Sequence, residues 1–349
     1  MNTLKRISMA DAPSGHEMYL MKQLFPELLE EYKPEKFPMV DALGNITLFK
    51  RGQSSELTNA VITHVDEAGF IVRDITDKGF IKFEAVGTID PRVIISKKVR
   101  VGANKIPGII GMKAIHLQKK EERESVVPMK NLFIDIGAKN KEKALKKVNI
   151  GDYITFDTEF GELCDGIIKG KALDRMGIYC LKEAIAETPL LDTYYIFTAQ
   201  KHIGARGAMV ALERIRPDFV YIVDAVEVSD IHGAKQHQVN SMLGNGAVVG
   251  LMDMKGFYDK DLCGDLCLAA EKRNIKAQFM HTVPDATEAG AVISSFGGMR
   301  AIVLGIPCRY TNSPVSLMSL NDLKAAANLL KEVIGGGFKI EIIKEINRG

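Results

Sequence analysis

Tyr194-Tyr195-Ile196-Phe197-Thr198-Ala199-Gln200-Lys201-His202-Ile203-Gly204-Ala205-Arg206-Gly207-Ala208 changes pattern midway. Its first part is aromatic and β-branched, the composition of a strand. From Ala208 to residue 212 an apolar stripe and good helix formers predict a helix. Between them stand Lys201, His202 and Gly204. A strand feeding a helix through a short turn is the repeating unit of an open α/β sheet, where ligands bind at the carboxyl ends of the strands. Lys201 and His202 are therefore placed to touch chemistry, although the same residues also read as a solvated loop.

Moving outward, residues 60–63 predict a short buried strand that delivers His64-Val65-Asp66-Glu67 to its end. Alternation sends His64 and Asp66 to the same side. One such group can hold a metal while the other orients it, and the pair can equally be structural. The apolar run 219–223 predicts another strand, ending at Asp224. Residues 170–177 predict the opening of a helix that runs to Glu187, with Asp174 near its start as a site carboxylate or a plain helix cap. Helices at 260–272 and 320–333, strands at 277–280 and 301–304, a turn at Pro284-Asp285-Ala286 and a polar loop at 307–313 complete this pattern. Residues 1–35 predict helix broken at 11–15, with Ser14 and Glu17 as a capping box and His16 on the surface. Residues 36–50 hold strand-like pieces around a turn at 41–45.

Between Gly69 and Asp165 the texture differs. Short strands are predicted at 70–73, 80–85, 93–96, 99–101, 108–112, 132–136 and 153–156, separated by glycine turns, which suggests a small β-barrel or sandwich. The charged run 119–123 reads as a solvated loop. The α/β pattern resumes only near Ile167, so 69–165 is expected as a domain inserted into an α/β domain formed by 1–68 and 166–349.

With 349 residues, 46% hydrophobic and 26% charged, the chain has the composition of a globular protein with length for two domains. A formal net charge of +2 and the lack of a long basic run argue against nucleic acid as a partner. No stretch approaches the ~20 apolar residues of a membrane helix, so no membrane partner is expected. Cys164, Cys180, Cys263, Cys267 and Cys308 are scattered and odd in number, which favours reduced thiols in a cytoplasm. Cys263 and Cys267 share a helical face and read as core.

Taken in order, Pro13-Ser14-Gly15, residues 41–45, 63–70, 108–111, 132–138, Gly151-Asp152, 171–174, 204–208, Asp224, 282–286 and 307–314 resemble the glutamyl and deblocking aminopeptidases, a family of dinuclear metallopeptidases with some members labelled endoglucanases. The resemblance covers nearly the whole chain. It implies a zinc-peptidase-like, mixed-sheet, three-layer α/β/α domain with an inserted small β-barrel used for oligomerisation. It also implies peptides as partners and a homo-oligomer, a large shell built on dimers. For the site it implies divalent metal, zinc or cobalt, with His64, Asp174 and Asp224 as ligands of one ion and Asp174 as the bridge. Asp66 matches a catalytic position beside the metal. Lys201 stands at the general-base glutamate, His202 at a ligand glutamate and Asn312 at a ligand histidine. A residue between Asp174 and Arg175 is absent.

These departures carry physical weight. An ammonium cannot accept a proton from a reacting water. A +1 charge about 5 Å from a +2 ion costs roughly 6 kcal/mol at an effective dielectric of about 20. Asn312 offers only a neutral amide oxygen, while His202 remains a possible donor. At most one tight ion per chain is expected. The leading reading is a peptide-binding or assembly subunit without dinuclear hydrolysis. The other is an active aminopeptidase using one metal, with Asp66, Glu67 or a neutral Lys201 as base. A further arrangement pairs Lys201 with Asp174 in place of a metal. Glucanase activity is disfavoured, since no carboxylate pair suits it.

Overall fold

A computed structural model describes residues 1–32, 38–280 and 286–336. At its centre the strands Leu191–Thr198, Ser54–His64, Phe219–Glu227 and Arg300–Arg309 lie side by side and parallel. β-Branched, aromatic and small residues predominate in them, and Phe219–Glu227 is buried along nearly its whole length. A strand without an exposed alternate face is covered on both sides. Helices Gly177–Ile185 and Lys260–Lys272 each pack on Leu320–Ile334, and Arg206–Ile215 packs on Ala289–Ile293. Antiparallel strands extend both flanks, which makes the sheet mixed.

The second unit is a closed antiparallel barrel of Gly69–Ile75, Ile81–Val86, Phe133–Asp135, Ile106–Gly111, Lys98–Val101 and Tyr153–Phe156. Its interior is a separate apolar core around Phe70, Phe83, Val99, Ile110, Ile134 and Ile154. The mixed α/β layers and the barrel are the architecture expected from the sequence. Closure removes the free strand edges that short strands would otherwise expose.

Asp11 joins the two units. Its buried carboxylate accepts from Lys171 Nζ (2.6 Å) and Thr155 Oγ1 (3.0 Å), and Lys105 Nζ lies 3.2 Å away. Lys171 also donates to Glu67 Oε1 at 3.0 Å. Burial opposes the Asp11 charge, but Lys171, Arg100 and Lys105 outweigh it and lower its pKa to about 2. Next to this cluster the fully buried Arg175 donates to the carbonyls of Ile7, Val65, Ser8 and Ala10.

Several local expectations are corrected. Residues 93–96 are not a strand: Asp90 caps a short helix, Pro91–Ile94, with Pro91 preset for its first turn. Residues 119–123 include an exposed helix, Lys120–Arg123. Residues 170–174 do not open the long helix. A strand Ile167–Gly170 and a 3-10 turn Leu173–Arg175 precede Gly177–Ile185, so Asp174 is not a helix cap. The 301–304 strand runs on to Arg309, which shortens the polar loop. Ser14 and Glu17 form no capping box, since their side chains bind Asp66 and Gln200. His16 is exposed, with its ring 4.7 Å from that of Tyr153. Lys36, Phe37 and residues 282–285 lie outside the described residues.

Candidate functional site

His64 ends its strand, fully buried. Its Nδ1 is 3.0 Å from the backbone oxygen of Asp66 and 3.5 Å from that residue's Oδ1. The outer partner of the imidazole is thus chiefly a carbonyl, and Nε2 is left to face inward. Asp66 does something the sequence did not indicate. Its carboxylate accepts from Lys201 N and His202 N, both at 3.0 Å, and from Ser14 Oγ at 2.5 Å. It clamps the strand-to-helix turn. Gln200, immediately before, is in the left-handed region at φ 59° and donates its N–H to Glu17, so the turn is held in a conformation it would not adopt unaided.

Asp174 rides on the 3-10 turn that follows left-handed Ala172 (φ 47°). Gly177, one turn on, sits so close to Thr63 and Val223 that a Cβ there would lie 2.1 Å from Thr63 Oγ1. This contact brings Asp174 up against the ends of two strands. Asp224 lies inside its strand, Phe219–Glu227, rather than just beyond it. His202 Nε2 is 3.0 Å from Asp174 Oδ2, and His64 Nε2 is 3.2 Å from Asp224 Oδ1.

Those two distances are ion-pair distances without hydrogen-bond alignment. His64 Nε2, His202 Nε2, Asp174 Oδ1 and Asp224 Oδ2 are buried and have no hydrogen-bond partner among the described residues. Buried polar atoms are rarely left so. His64, Asp174 and His202 each offer one donor atom, all within 4.8 Å of one another. Imidazole and carboxylate donors converging in this way fit a divalent metal ion.

Asp224 is otherwise engaged. Lys201 Nζ lies 3.3 Å from its Oδ2 and 3.4 Å from its Oδ1. Lys201 does not take Asp174 as its close partner, which corrects that expectation. Burial opposes the charged lysine, but Asp224, Asp174 and Asp66 outweigh it and raise its pKa above the ordinary range. Burial likewise opposes the ionised forms of Asp66 and Asp174, yet neighbouring imidazoles hold both well below the usual carboxylate range. Glu67 accepts from Ala12 N and Lys171 Nζ and is buried with them.

Glu288 was not singled out from sequence. It precedes the short helix Ala289–Ile293, is buried, and accepts from Thr198 Oγ1 at 2.8 Å. Burial, aided by Asp224 and Asp66, pushes its carboxyl up to about 7 against the pull of His64 and Thr198. A Thr-Glu pair just ahead of small helix formers is the only signal it left. Asp174, Lys201, His202, Asp224 and Asn312 line a cavity of about 570 Å³, which Lys255, Thr287 and Gly290 close on another side.

A mixed α/β sheet carrying convergent imidazole and carboxylate donors at its strand ends, with a closed barrel beside it, is a metallopeptidase scaffold. The chain belongs to the M42 glutamyl aminopeptidase family, whose model matches residues 44–329. It is 28% identical to the glutamyl aminopeptidase of Lactococcus lactis over 348 residues, covering 95% of this chain and 94% of that one. The TET aminopeptidase of a marine-sediment Thaumarchaeota archaeon superposes with a TM-score of 0.92 at 28% identity, over 99% of this chain and 98% of that one. The TET1 peptidase of Pyrococcus horikoshii, which can assemble into a tetrahedron or a large octahedral shell, matches with a TM-score of 0.82 at 28% identity, over 95% and 98%.

Proposed function

We propose that this chain is a divergent M42 protein that binds peptides on the metallopeptidase scaffold and lacks the dinuclear hydrolysis that the family resemblance implies. The observation that carries this reading is the Lys201–Asp224 pair, with Nζ 3.3 Å from Oδ2. It supports reading Lys201 as an ammonium at the position where the resemblance calls for a carboxylate base. The other bases considered from sequence are also engaged, Asp66 by two backbone N–H groups and a hydroxyl, Glu67 by Lys171.

His64, Asp174 and His202 would hold the ion, with Asp224 divided between His64 and Lys201. Such an ion supplies Lewis-acid polarisation of a carbonyl and a lowered pKa for water. This chain's residues contribute the rest. His64 is oriented through Asp66, the turn carrying His202 is fixed by the Asp66 carboxylate, and the cavity receives the peptide end. The second reading, an aminopeptidase working with one ion, is supported by the convergence of that donor set. Metal analysis together with an aminoacyl-anilide assay separates the two. At most trace release is expected, and steady turnover with one ion per chain would establish the enzyme.

The proposal extends to organisation. The barrel block 69–165 is read as an insertion that mediates self-association, dividing the α/β domain into 1–68 and 166–349. A dimer-based shell is the expected assembly. Among the described residues no helix is long and apolar enough to cross a membrane. The five cysteines are all unpaired, and unpaired thiols suit a reducing, cytoplasmic setting.

A further inference from the structure

The barrel carries a second concentration of charge, away from the cavity. Residues 139–147 hold five lysines against one glutamate, in a chain whose formal net charge is +2. The segment is built rigidly. Asn140 caps the short helix Lys141–Leu145 by accepting from Lys143 N at 2.9 Å. Lys141 N donates to the carbonyl of Asp77 at 3.1 Å, and Ala144 and Val148 are fully buried in the barrel core. The turn that follows is tied to the strand Gly69–Ile75: Gly151 N donates to the carbonyl of Val72 at 2.8 Å, and Val72 N to that of Asp152 at 2.9 Å.

With Ala144 and Val148 turned inward, the rest of the segment meets solvent. Lys139, Lys143, Lys146 and Lys147 are exposed, and their ammonium groups make no ion pair or hydrogen bond with a described residue. Lys141 alone has a partner, with Nζ 3.8 Å from Asp74 Oδ1. Two apolar side chains stand among these charges, Leu145 at 44% and Ile150 at 60% exposure.

This composition discriminates between polyanions. Single-stranded nucleic acid is held by stacking on aromatic rings and by planar guanidinium groups. Neither an aromatic residue nor an arginine occurs between 139 and 150, and the nearby Arg73 is engaged by Glu84. Ammonium point charges interleaved with exposed apolar side chains suit the anionic face of a bilayer instead. Lysines are drawn to its headgroups, and apolar tips enter the boundary with the acyl chains.

We propose that the 139–150 face of the barrel docks on an anionic lipid bilayer, through Lys139, Lys143, Lys146 and Lys147, with Leu145 and Ile150 as the inserted residues. The contact is peripheral, so it needs none of the ~20 apolar residues of a membrane helix. It also leaves the proposed self-association free to occur. In the closed barrel Gly69–Ile75, which this face adjoins, lies opposite Ile106–Gly111, the strand that carries Ile109.

Co-sedimentation of the full chain with vesicles tests it, using phosphatidylcholine alone and an equal mixture of phosphatidylcholine and phosphatidylserine. Binding to the mixed vesicles and not to the neutral ones is expected, and it should fall steeply as salt rises. Changing Lys143→Gln, Lys146→Gln and Lys147→Gln together should weaken it on the order of 100-fold, the effect of three lysines near an anionic surface. Leu145→Ser with Ile150→Ser, which keeps every charge, should weaken it as well. Both variants should keep the wild-type thermal midpoint, because the replaced side chains are exposed. Equal binding to the two vesicle types, binding to neither, or binding to the mixed vesicles that survives either set of changes overturns the inference. Binding to single-stranded polyuridylate that exceeds binding to the mixed vesicles, and that the serine changes leave intact, overturns it in favour of nucleic acid.

Discussion

Lys201, in the turn after the strand Leu191–Thr198, and Asp224, inside the strand Phe219–Glu227, meet with Nζ 3.3 Å from Oδ2 in a mostly buried site. The ammonium offsets a carboxylate that lies fully within the protein. Removing one partner of a buried pair leaves the other uncompensated and costs on the order of 3 kcal/mol. Lys201→Met should therefore lower the thermal midpoint in chelator, and cobalt or zinc should restore much of the loss by occupying the freed position. A Lys201→Met protein as stable as wild type in chelator would show that the pair contributes nothing.

Elemental analysis of the wild type should return at most about one tight divalent ion per chain. Changing Lys201→Glu alone should recover little, because a base without a correctly held water has nothing to act on. Adding His202→Glu and Asn312→His should raise the metal content towards two and bring measurable aminopeptidase turnover, with effects that do not add. Two ions per chain in the wild type, or a wild type as fast as the triple variant, would refute the inactive reading.

Glu288 gives a pH signature. Its carboxyl is raised from 4.5 to about 7, so the folded state holds the proton more tightly than the unfolded one. Its contribution to stability is complete below pH 4.5 and is lost as pH rises through 7, a change of roughly 3 kcal/mol. Glu288→Gln should abolish this slope in chelator-treated protein. The stability difference between variant and wild type should grow in the variant's favour between pH 5 and 8, measured by denaturant titration. A difference that does not vary with pH would contradict the assignment.

The proposed self-association through the barrel block can be probed at its exposed apolar residues. Ile109, Ile115 and Leu117 are 52%, 64% and 62% exposed there. Ile115→Glu with Leu117→Glu should shrink the particle seen by light scattering while leaving the thermal midpoint within about 1 kcal/mol of wild type. An unchanged large particle would place the interface elsewhere.

The strands that carry the site were legible because apolar runs such as 219–223 end in residues with no reason to be buried unless paired. At those strand ends His64 Nε2 lies 3.2 Å from Asp224 Oδ1 and His202 Nε2 3.0 Å from Asp174 Oδ2. Errors arose where one signal served two structures. Ser14 and Glu17 have capping-box spacing, yet both reach across to groups distant in sequence. Residues 93–96 look β-branched, but Asp90-Pro91 just before them starts a helix. Glu288 and Lys255 left almost no trace, since their places depend on which loops fold over the cavity, and no local periodicity encodes that.

Asp11 and Lys171 form a charged seam between barrel and sheet, with Lys105 and Thr155 supplied from the barrel side. A module joined by an apolar patch can be excised and its scar repaired with polar substitutions. This one cannot be lifted out as a cassette: cutting it away would strand Asp11 without part of its hydrogen bonding, one step from the residues that hold Glu67 beside His64. Exchanging barrels between relatives would succeed only where both sides of that seam are carried together.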